Sequence, residues 1–273
     1  MAENDDNRLE LLLNELLDTL KGFIRKHQVR PEEYRKAVLF LHEAGQMGEI
    51  PLMADVFLET TVDEVAYGDQ AGAGFVSAIE GPYYIEGAPE LEPPYELPRR
   101  ENEPGDALFF RGTVRDENGN PLAGVVLDLW QCDAEGKYSN IHPGVPENNL
   151  RGRFRTDDQG RFEVRTIAPA PYEIPTQGPT GRLLAVQGKH TFRPAHLHLK
   201  VSHEGHETLT TQIYFEGGEY VEDDCVGAVK PELVVPLEKH DDPSDYRERG
   251  LDGPYYTLDY DFVLIPAREK APA

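Results

Sequence analysis

Apolar positions in the first quarter of the chain recur every three or four residues. Leu9, Leu12, Leu13, Leu16, Leu17, Leu20, Phe23 and Ile24 fall on one broad stripe, which predicts a helix over residues 7–26. Pro31 suits a first helical position, and with Glu32, Glu33 and Tyr34 behind it the spacing predicts a second helix to residue 44. A third is expected from Leu52 to Val65, after Pro51. Most of these positions read as ordinary core. Yet three helices on so short a segment make a thin core, so part of their surface is expected to cover a second domain or a second subunit.

Residues 69–105, rich in Gly, Pro, Glu and Tyr, read as a long ordered connection. The period then changes to two. Strands are expected at Ala107–Arg115, Gly124–Gln131, Gly152–Thr156, Arg161–Ile167, Thr208–Phe215, Leu233–Val235 and Tyr256–Ile265. Asn118-Gly119 is a hairpin signal, and Asp157-Asp158-Gln159-Gly160 a second turn. Residues 182–186 suggest one helical turn. Many short strands with few helices predict a mixed, mainly β chain built on an antiparallel sandwich or barrel.

One more strand carries the candidate chemistry. In Arg193-Pro194-Ala195-His196-Leu197-His198-Leu199-Lys200-Val201 the apolar and polar residues alternate, and Pro194 is tolerated at a strand's first residue. His196 and His198 therefore share a sheet face, with Cα atoms roughly 6.5–7 Å apart. Two imidazoles so placed can converge on one ion; the plainer alternative is a pair of hydrogen-bonded core histidines. Asp133, Glu135, Asp157, Glu173, His142, Tyr138 and Tyr172 are candidates to complete such a site. Carboxylates are the default, and spacing does not choose among them. A tyrosine ligand would call for a strong Lewis acid such as ferric iron, because a free phenol ionises near pH 10.

Charge and composition narrow the function. The chain has 273 residues, with 27 Lys+Arg against 50 Asp+Glu and a net charge of −23. Such a surface repels nucleic-acid backbones and anionic membranes, so neither partner is expected. The opening residues lack a basic secretory n-region, and no apolar run approaches the ~20 residues that span a bilayer. Cys132 and Cys225 form no C-x-x-C pair, which fits a reducing cytoplasm with both thiols free.

Several segments together carry a resemblance. Ile79-Glu80-Gly81-Pro82-Tyr83, Glu86-Gly87-Ala88-Pro89, Gly136-Lys137-Tyr138-Ser139, the run Pro169–Pro175 with Gly178-Pro179-Thr180-Gly181, and Arg193–His198 occur in the order seen in intradiol catechol dioxygenases. The chain resembles that family over most of its length, the helical N-terminal part included. The resemblance implies one Fe(III) per subunit, bound by Tyr138, Tyr172, His196 and His198 plus a solvent hydroxide. It implies ring cleavage of catechol or a chloro- or methylcatechol by O₂ to cis,cis-muconates. Tyr172 would accept a catechol proton, Arg193 would stabilise developing negative charge, and Gln212 would help orient substrate. The family's pocket positions correspond to Leu52, Asp55, Val56, Ile79, Gly81, Pro82, Tyr83, Cys225 and Val226, whereas Cys132 beside Trp130 reads as core packing.

For architecture, the resemblance implies a helical domain at residues 1–68, a connection at 69–105 and a β-sandwich catalytic domain at 106–273. The helices would form a homodimer interface holding phospholipid in an apolar tunnel. Ala195 before His196, together with Asp223-Asp224-Cys225 and Glu216-Gly217-Gly218, leans toward catechol and chlorocatechol enzymes; Leu251-Asp252-Gly253-Pro254 is similar to the hydroxyquinol branch, whose product would be maleylacetate. Two rival readings remain at this level. One is a zinc hydrolase built on His196, His198 and a carboxylate. The other is a non-enzymatic prealbumin-like binding module, suggested by the turns at 112–124 and 156–162.

Overall fold

The computed structural model describes residues 2–267. The described chain divides between Ile50 and Pro51 into two compact units. The first contains α1 (Ala2–His27) and α2 (Pro31–Gln46). Basic Arg25, Lys26 and His27 close α1, and Glu32 and Glu33 open α2, each matching the helix dipole. The Glu33 carboxylate also accepts the Arg30 backbone N–H at 2.9 Å. Along the stripe of α1, Leu9, Leu12, Leu13, Leu16, Leu17, Leu20, Phe23 and Ile24 are between 41% and 56% exposed among the described residues.

A second helical stretch, expected at 52–65, is longer than that and changes pitch. It comprises α3 (Ile50–Ala54), a π-helical turn at Asp55–Glu59 and α4 (Thr60–Tyr67), and a 3₁₀ segment, Gly68–Ala73, follows. From Pro51 onward it belongs to the sheet-bearing unit. π turns of this kind are frequent at functional sites, and this one carries Asp55 and Val56.

The strands, in chain order, are β1 (Tyr95–Glu96), β2 (Ala107–Asp116), β3 (Val126–Trp130), β4 (Arg151–Arg155), β5 (Arg161–Ile167), β6 (Tyr172–Glu173) and β7 (Phe192–Arg193). They continue with β8 (His196–Ser202), β9 (Leu209–Phe215), β10 (Val234–Val235), β11 (Glu238–His240), β12 (Tyr255–Asp259) and β13 (Phe262–Leu264). Among the described residues one sheet runs β1-β5-β2-β12-β11, with β13 also on β2; the other runs β10-β9-β8-β3-β4; β6 and β7 form a separate ribbon. The ladders β2–β5, β3–β4, β3–β8 and β8–β9 are antiparallel, while β1, β10, β12 and β13 add parallel pairs. Phe110, Val114, Phe162 and Val164 from one sheet and Leu127, Leu129, Leu197, Leu199 and Ile213 from the other form a single buried core. Two further helices, α5 (Pro179–Val186) and α6 (Pro243–Glu248), sit in connections; only the first was anticipated.

Three sequence expectations are corrected by pairing. The Asn118-Gly119 turn forms, with Gly119 N–H on the Asp116 carbonyl at 3.0 Å, but it closes only a short hairpin, in which Asp116 N–H meets the Asn120 carbonyl and Leu122 N–H the Val114 carbonyl, both at 2.9 Å. Strand β2 ladders with β5, and β3 with β4 and β8, so the turn carries the chain from one sheet to the other. Pro121, which lacks an N–H, permits one isolated bridge to Arg115 before the chain crosses. Second, the segment 256–265 breaks at Tyr260-Asp261. Tyr260 N–H reaches the Arg111 carbonyl at 3.0 Å and Asp261 accepts the Thr113 N–H at 2.7 Å, so β12 and β13 meet β2 separately. Third, the histidine strand begins at His196; Pro194 separates it from Phe192-Arg193, which pairs with Tyr172-Glu173 instead.

No described helix is long and apolar enough to cross a membrane, and Cys132 and Cys225 are both free. The break at Tyr260 also sets a steric requirement on β2. A Cβ placed on Gly112 would lie 1.8 Å from the Tyr260 carbonyl oxygen, which is backbone and cannot swing aside. Gly112→Ala is expected to destabilise the sheet-bearing unit by about 3 kcal/mol or more, checked by urea unfolding.

Candidate metal centre

Strand β8 is buried on both faces. Leu197, Leu199 and Val201 enter the sandwich core, and period two leaves His196 and His198 on the opposite face, 1% and 2% exposed. On that face Trp130, the cross-strand neighbour of His198, stacks on its ring at 4.7 Å. The β6–β7 ribbon brings Tyr172 beside Arg193, and the loop after β3 brings Tyr138. Ring centroids lie at 4.5 Å for His196–His198, 5.4 Å for Tyr138–Tyr172, 5.6 Å for Tyr172–His196 and 6.2 Å for Tyr138–His198. The approach of the two tyrosine-bearing segments depends on Gly136, at φ +78°, where a Cβ would lie 2.9 Å from Tyr172 Cβ.

The donor atoms of these rings are short of partners. His196 Nδ1 lies 2.8 Å from the Pro194 carbonyl, an arrangement that takes up the ring proton there and leaves Nε2 with a lone pair. His196 Nε2 and His198 Nε2 stand 2.9 Å apart. The Tyr138 hydroxyl and His198 Nδ1 are wholly buried without a well-formed hydrogen bond. Burial, then the Arg193 charge, pull the His196 imidazole down to about 3; burial and His196 depress His198 likewise. Burial raises both phenols well above their ordinary value. Neutral imidazoles are ready ligands, whereas the phenols need a strongly acidic cation to ionise. The donor set fits a ferric ion.

The carboxylates that were the default ligands are engaged elsewhere. Asp133 is buried but accepts the N–H groups of Glu135 and Lys137 and pairs with Arg100. Glu135 pairs with Lys137, Asp157 caps its own turn through Gln159 and Arg161, and Glu173 accepts the Thr191 hydroxyl. His142 accepts the Tyr138 backbone N–H at 3.0 Å.

Arg193 is 3% exposed and lies against the imidazole pair, with Nη1 3.4 Å from His196 Nε2. A residue that sequence reasoning missed holds it there. Asp224 meets Arg193 through Nε–Oδ1 at 3.2 Å and Nη2–Oδ2 at 3.1 Å, and also accepts the Val226 and Ala228 N–H groups. Burial opposes the Asp224 charge, but Arg193 and these N–H donors outweigh it and hold the carboxyl below its usual range. Arg193 stays protonated in turn, its burial outweighed by Asp224. A signal was available: an arginine expected beside the reacting groups needs an anion once it is buried, and Asp224 adjoins Cys225, a pocket position that the resemblance implies. Nη2 of Arg193 also donates to Gln212 Oε1 at 2.9 Å and Tyr214 Oη at 3.0 Å, while Gln212 Nε2 donates to the Ile79 carbonyl at 2.7 Å. Both ends of the Gln212 amide are thus occupied by protein.

A narrow cleft opens on this face. Leu52, Asp55, Val56, Ile79, Gly81, Pro82, Tyr83 and Val226 line it, together with Tyr172, Arg193 and Ile174. Cys225 does not; it is buried in the apolar cluster that supports Val226 and Ile79. Ile174 was overlooked, although its spacing of two from Tyr172 places it on the same side. Cys132 packs against Trp130, Tyr138 and Tyr172, and burial pushes its thiol up to about 12. Burial and the neighbouring Glu80 raise Asp55, and Glu59 ties the wall down by accepting the Glu80 and Gly81 N–H groups. A larger open groove over β2, β5 and β12 contains none of these residues, and its Arg111, Arg155 and Arg161 are all ion-paired.

Comparison with known proteins accounts for nearly the whole described chain. A family model described as "Dioxygenase" matches residues 79–266, and one described as "Catechol dioxygenase N terminus" matches residues 6–74. A chlorocatechol 1,2-dioxygenase of Rhodococcus opacus is 41% identical over 95% of this chain and 98% of its own. The crystal structure of 3-chlorocatechol 1,2-dioxygenase from Rhodococcus opacus 1CP matches with a TM-score of 0.86 and 44% identity, covering 96% of this chain and 99% of that one. Catechol 1,2-dioxygenase from Acinetobacter sp. ADP1 matches with a TM-score of 0.89 and 32% identity, covering 96% and 87%. With two tyrosines and two histidines gathered on one buried face of a sandwich, and with both family models matched in order, the chain belongs to the intradiol ring-cleavage dioxygenases.

Proposed function

We propose that the protein opens the ring of catechol and of chloro- or methylcatechols between the two hydroxyl-bearing carbons, with O₂ as oxidant and cis,cis-muconates as products. One Fe(III) per subunit would be held by Tyr138, Tyr172, His196 and His198. The observation that carries this reading is the convergence of those rings, at 4.5–6.2 Å, with His196 Nε2 and His198 Nε2 facing each other and the buried Tyr138 hydroxyl without a well-formed hydrogen bond. When bound, the ferric ion supplies Lewis acidity toward the catechol oxygens and a route for electrons to O₂.

The protein's own groups divide the remaining work. Tyr172 lines the cleft, whereas Tyr138 does not, so Tyr172 is the phenol placed to receive a catechol proton. Arg193 presents a fixed positive charge where negative charge develops on the opening ring. Gln212 acts through Arg193 and the Ile79 wall rather than by touching substrate. Leu52, Val56, Ile79, Ile174 and Val226 offer an apolar slot for a flat ring and exclude water. Asp55, with Glu80 nearby, disfavours anionic ring substituents, which supports neutral or halogenated catechols. The relatives named for chlorocatechol support the same choice.

The exposed stripe of α1 supports a homodimer, with phospholipid as a second occupant of its apolar surface. Two free cysteines support a reducing, cytoplasmic setting.

Four outcomes are expected. Iron-loaded protein converts catechol and chlorocatechols to products absorbing as muconates in a spectrophotometric panel; turnover confined to hydroxyquinol would overturn the substrate assignment. Tyr172→Phe and His198→Ala each lose iron or most turnover, and full iron with near-normal turnover in either would refute the ligand set. Asp224→Asn keeps iron but lowers kcat about 10–100-fold with a smaller change in KM, as steady-state kinetics would report. Leu16→Asp with Leu20→Asp yields monomers in sedimentation, and solvent extraction of the native protein releases phospholipid identified by mass spectrometry.

A further inference from the structure

The geometry points to a second metal site, outside the cleft, at the turn between β8 and β9, formed by His203, His206 and the Glu204 carbonyl and suited to a divalent late first-row ion such as Ni²⁺, Cu²⁺ or Zn²⁺. His206 N–H bonds to the His203 carbonyl at 3.1 Å, closing a turn that puts both imidazoles on one side. His203 Nδ1 and His206 Nδ1 stand 3.2 Å apart, and they lie 3.0 Å and 3.1 Å from the Glu204 carbonyl oxygen. Three donor atoms thus form a nearly equilateral triangle.

Protons alone do not satisfy that triangle. If both Nδ1 atoms carry hydrogen, each can donate to the carbonyl, but the two N–H groups then face each other at 3.2 Å. If one carries hydrogen, it can serve the carbonyl and the other nitrogen, leaving a nitrogen and an oxygen lone pair opposed. If neither does, all three contacts are repulsive. A cation above the triangle satisfies every lone pair at once. Neighbouring ligands on an ion at ~2.1 Å are separated by about 3.0 Å in octahedral and about 3.4 Å in tetrahedral geometry, and the observed edges fall in that range.

The same short imidazole–imidazole contact, 2.9 Å, marks the centre formed by His196 and His198. Glu204 and Glu207 in the turn and the chain's net charge of −23 favour a cation there. Arg155 borders the depression beside His203, but Glu90 neutralises it at 3.0 Å. The turn is also zipped to the chain's last described segment, with Glu207 N–H on the Ile265 carbonyl at 3.0 Å and Ala267 N–H on the Gly205 carbonyl at 2.9 Å. An ion here would therefore clamp the β8–β9 connection on the order of 20 Å along the strand from His196.

The test titrates iron-loaded protein with Ni²⁺ by calorimetry and repeats the titration with Cu²⁺ under electron paramagnetic resonance. One added equivalent per chain is expected, with nitrogen hyperfine structure on copper and a higher melting temperature in saturating Ni²⁺. His203→Ala and His206→Ala should each abolish the added equivalent and the thermal shift, while His42→Ala, on α2, retains both. No added equivalent, or one that survives either turn variant, overturns the assignment.

Discussion

Neutral imidazoles beside a permanently charged guanidinium, both out of water, are the constraint around which this site is built. Burial pulls His196 and His198 well below the ordinary imidazole range and favours their neutral forms, and the Arg193 charge pushes the same way. The pair therefore needs no displaced proton to accept a metal. The guanidinium, however, has no such release. Without Asp224 it would be an uncompensated charge in an apolar wall, at a cost of several kcal/mol. One carboxylate thereby makes the electrostatics of the whole centre tenable. Because it also gathers the Val226 and Ala228 N–H groups, it links the charge at the reacting ring to the shape of the cleft.

The sandwich supplies what this constraint needs. A strand packed on one face by Leu197, Leu199 and Val201 cannot shift register without expelling those residues from the core. The imidazoles on the other face inherit that rigidity, and Trp130 stacked on His198 limits ring rotation. Tyr138 and Tyr172 lack a shared strand, so their placement rests on contacts between loop and ribbon: Gly136 against Tyr172, Asp133 closing its own turn, His142 on the Tyr138 backbone. Placement is thus divided between an imidazole pair fixed by the sheet and a tyrosine pair fixed by the β6–β7 ribbon and a loop.

Much of this was legible in the residues. The period-two strand around His196 and His198 and most strands follow from side-chain pattern because one face of each is buried, whereas the helices at 2–46 follow from apolar spacing alone, their stripes being exposed. Strand partners were not legible. Asn118-Gly119 specifies a tight turn, but a local signal says nothing about which sheet receives the next strand; that choice is made by long-range packing of Leu127 and Leu129 against Phe110 and Val114. Nor could spacing select phenols over carboxylates. Asp133 and Glu173 were excluded only when the structure showed where their lone pairs are spent, and the family resemblance reached Tyr138 and Tyr172 by another route. Cys225 is a different case: the resemblance puts it among the pocket positions, while in the structure it is buried in the apolar cluster with Val226 and Ile79 and does not line the cleft.

The origin of the cleft walls bears on how one chemistry serves several substrates. The four candidate donor side chains, the arginine and its anion come from the sheet, the short ribbon and two loops locked to them. The walls come from separate stretches: the π turn at 55–59, the loop at 79–83, Ile174, and Val226. A change of side chain in the π turn or the 79–83 loop alters the space offered to a ring substituent without moving His196, His198 or Arg193. A methylene-sized change there is worth about 1–3 kcal/mol between competing rings, enough to reorder preferences but not to abolish a substrate. Proteins that share this fold at TM-scores of 0.86 and 0.89 bear the names of different catechols, as expected if the walls vary while the metal face is held by the core. Under the proposed function, the same logic puts selectivity at Leu52, Asp55, Val56 and Ile79, which line the cleft and are not among the candidate ligands.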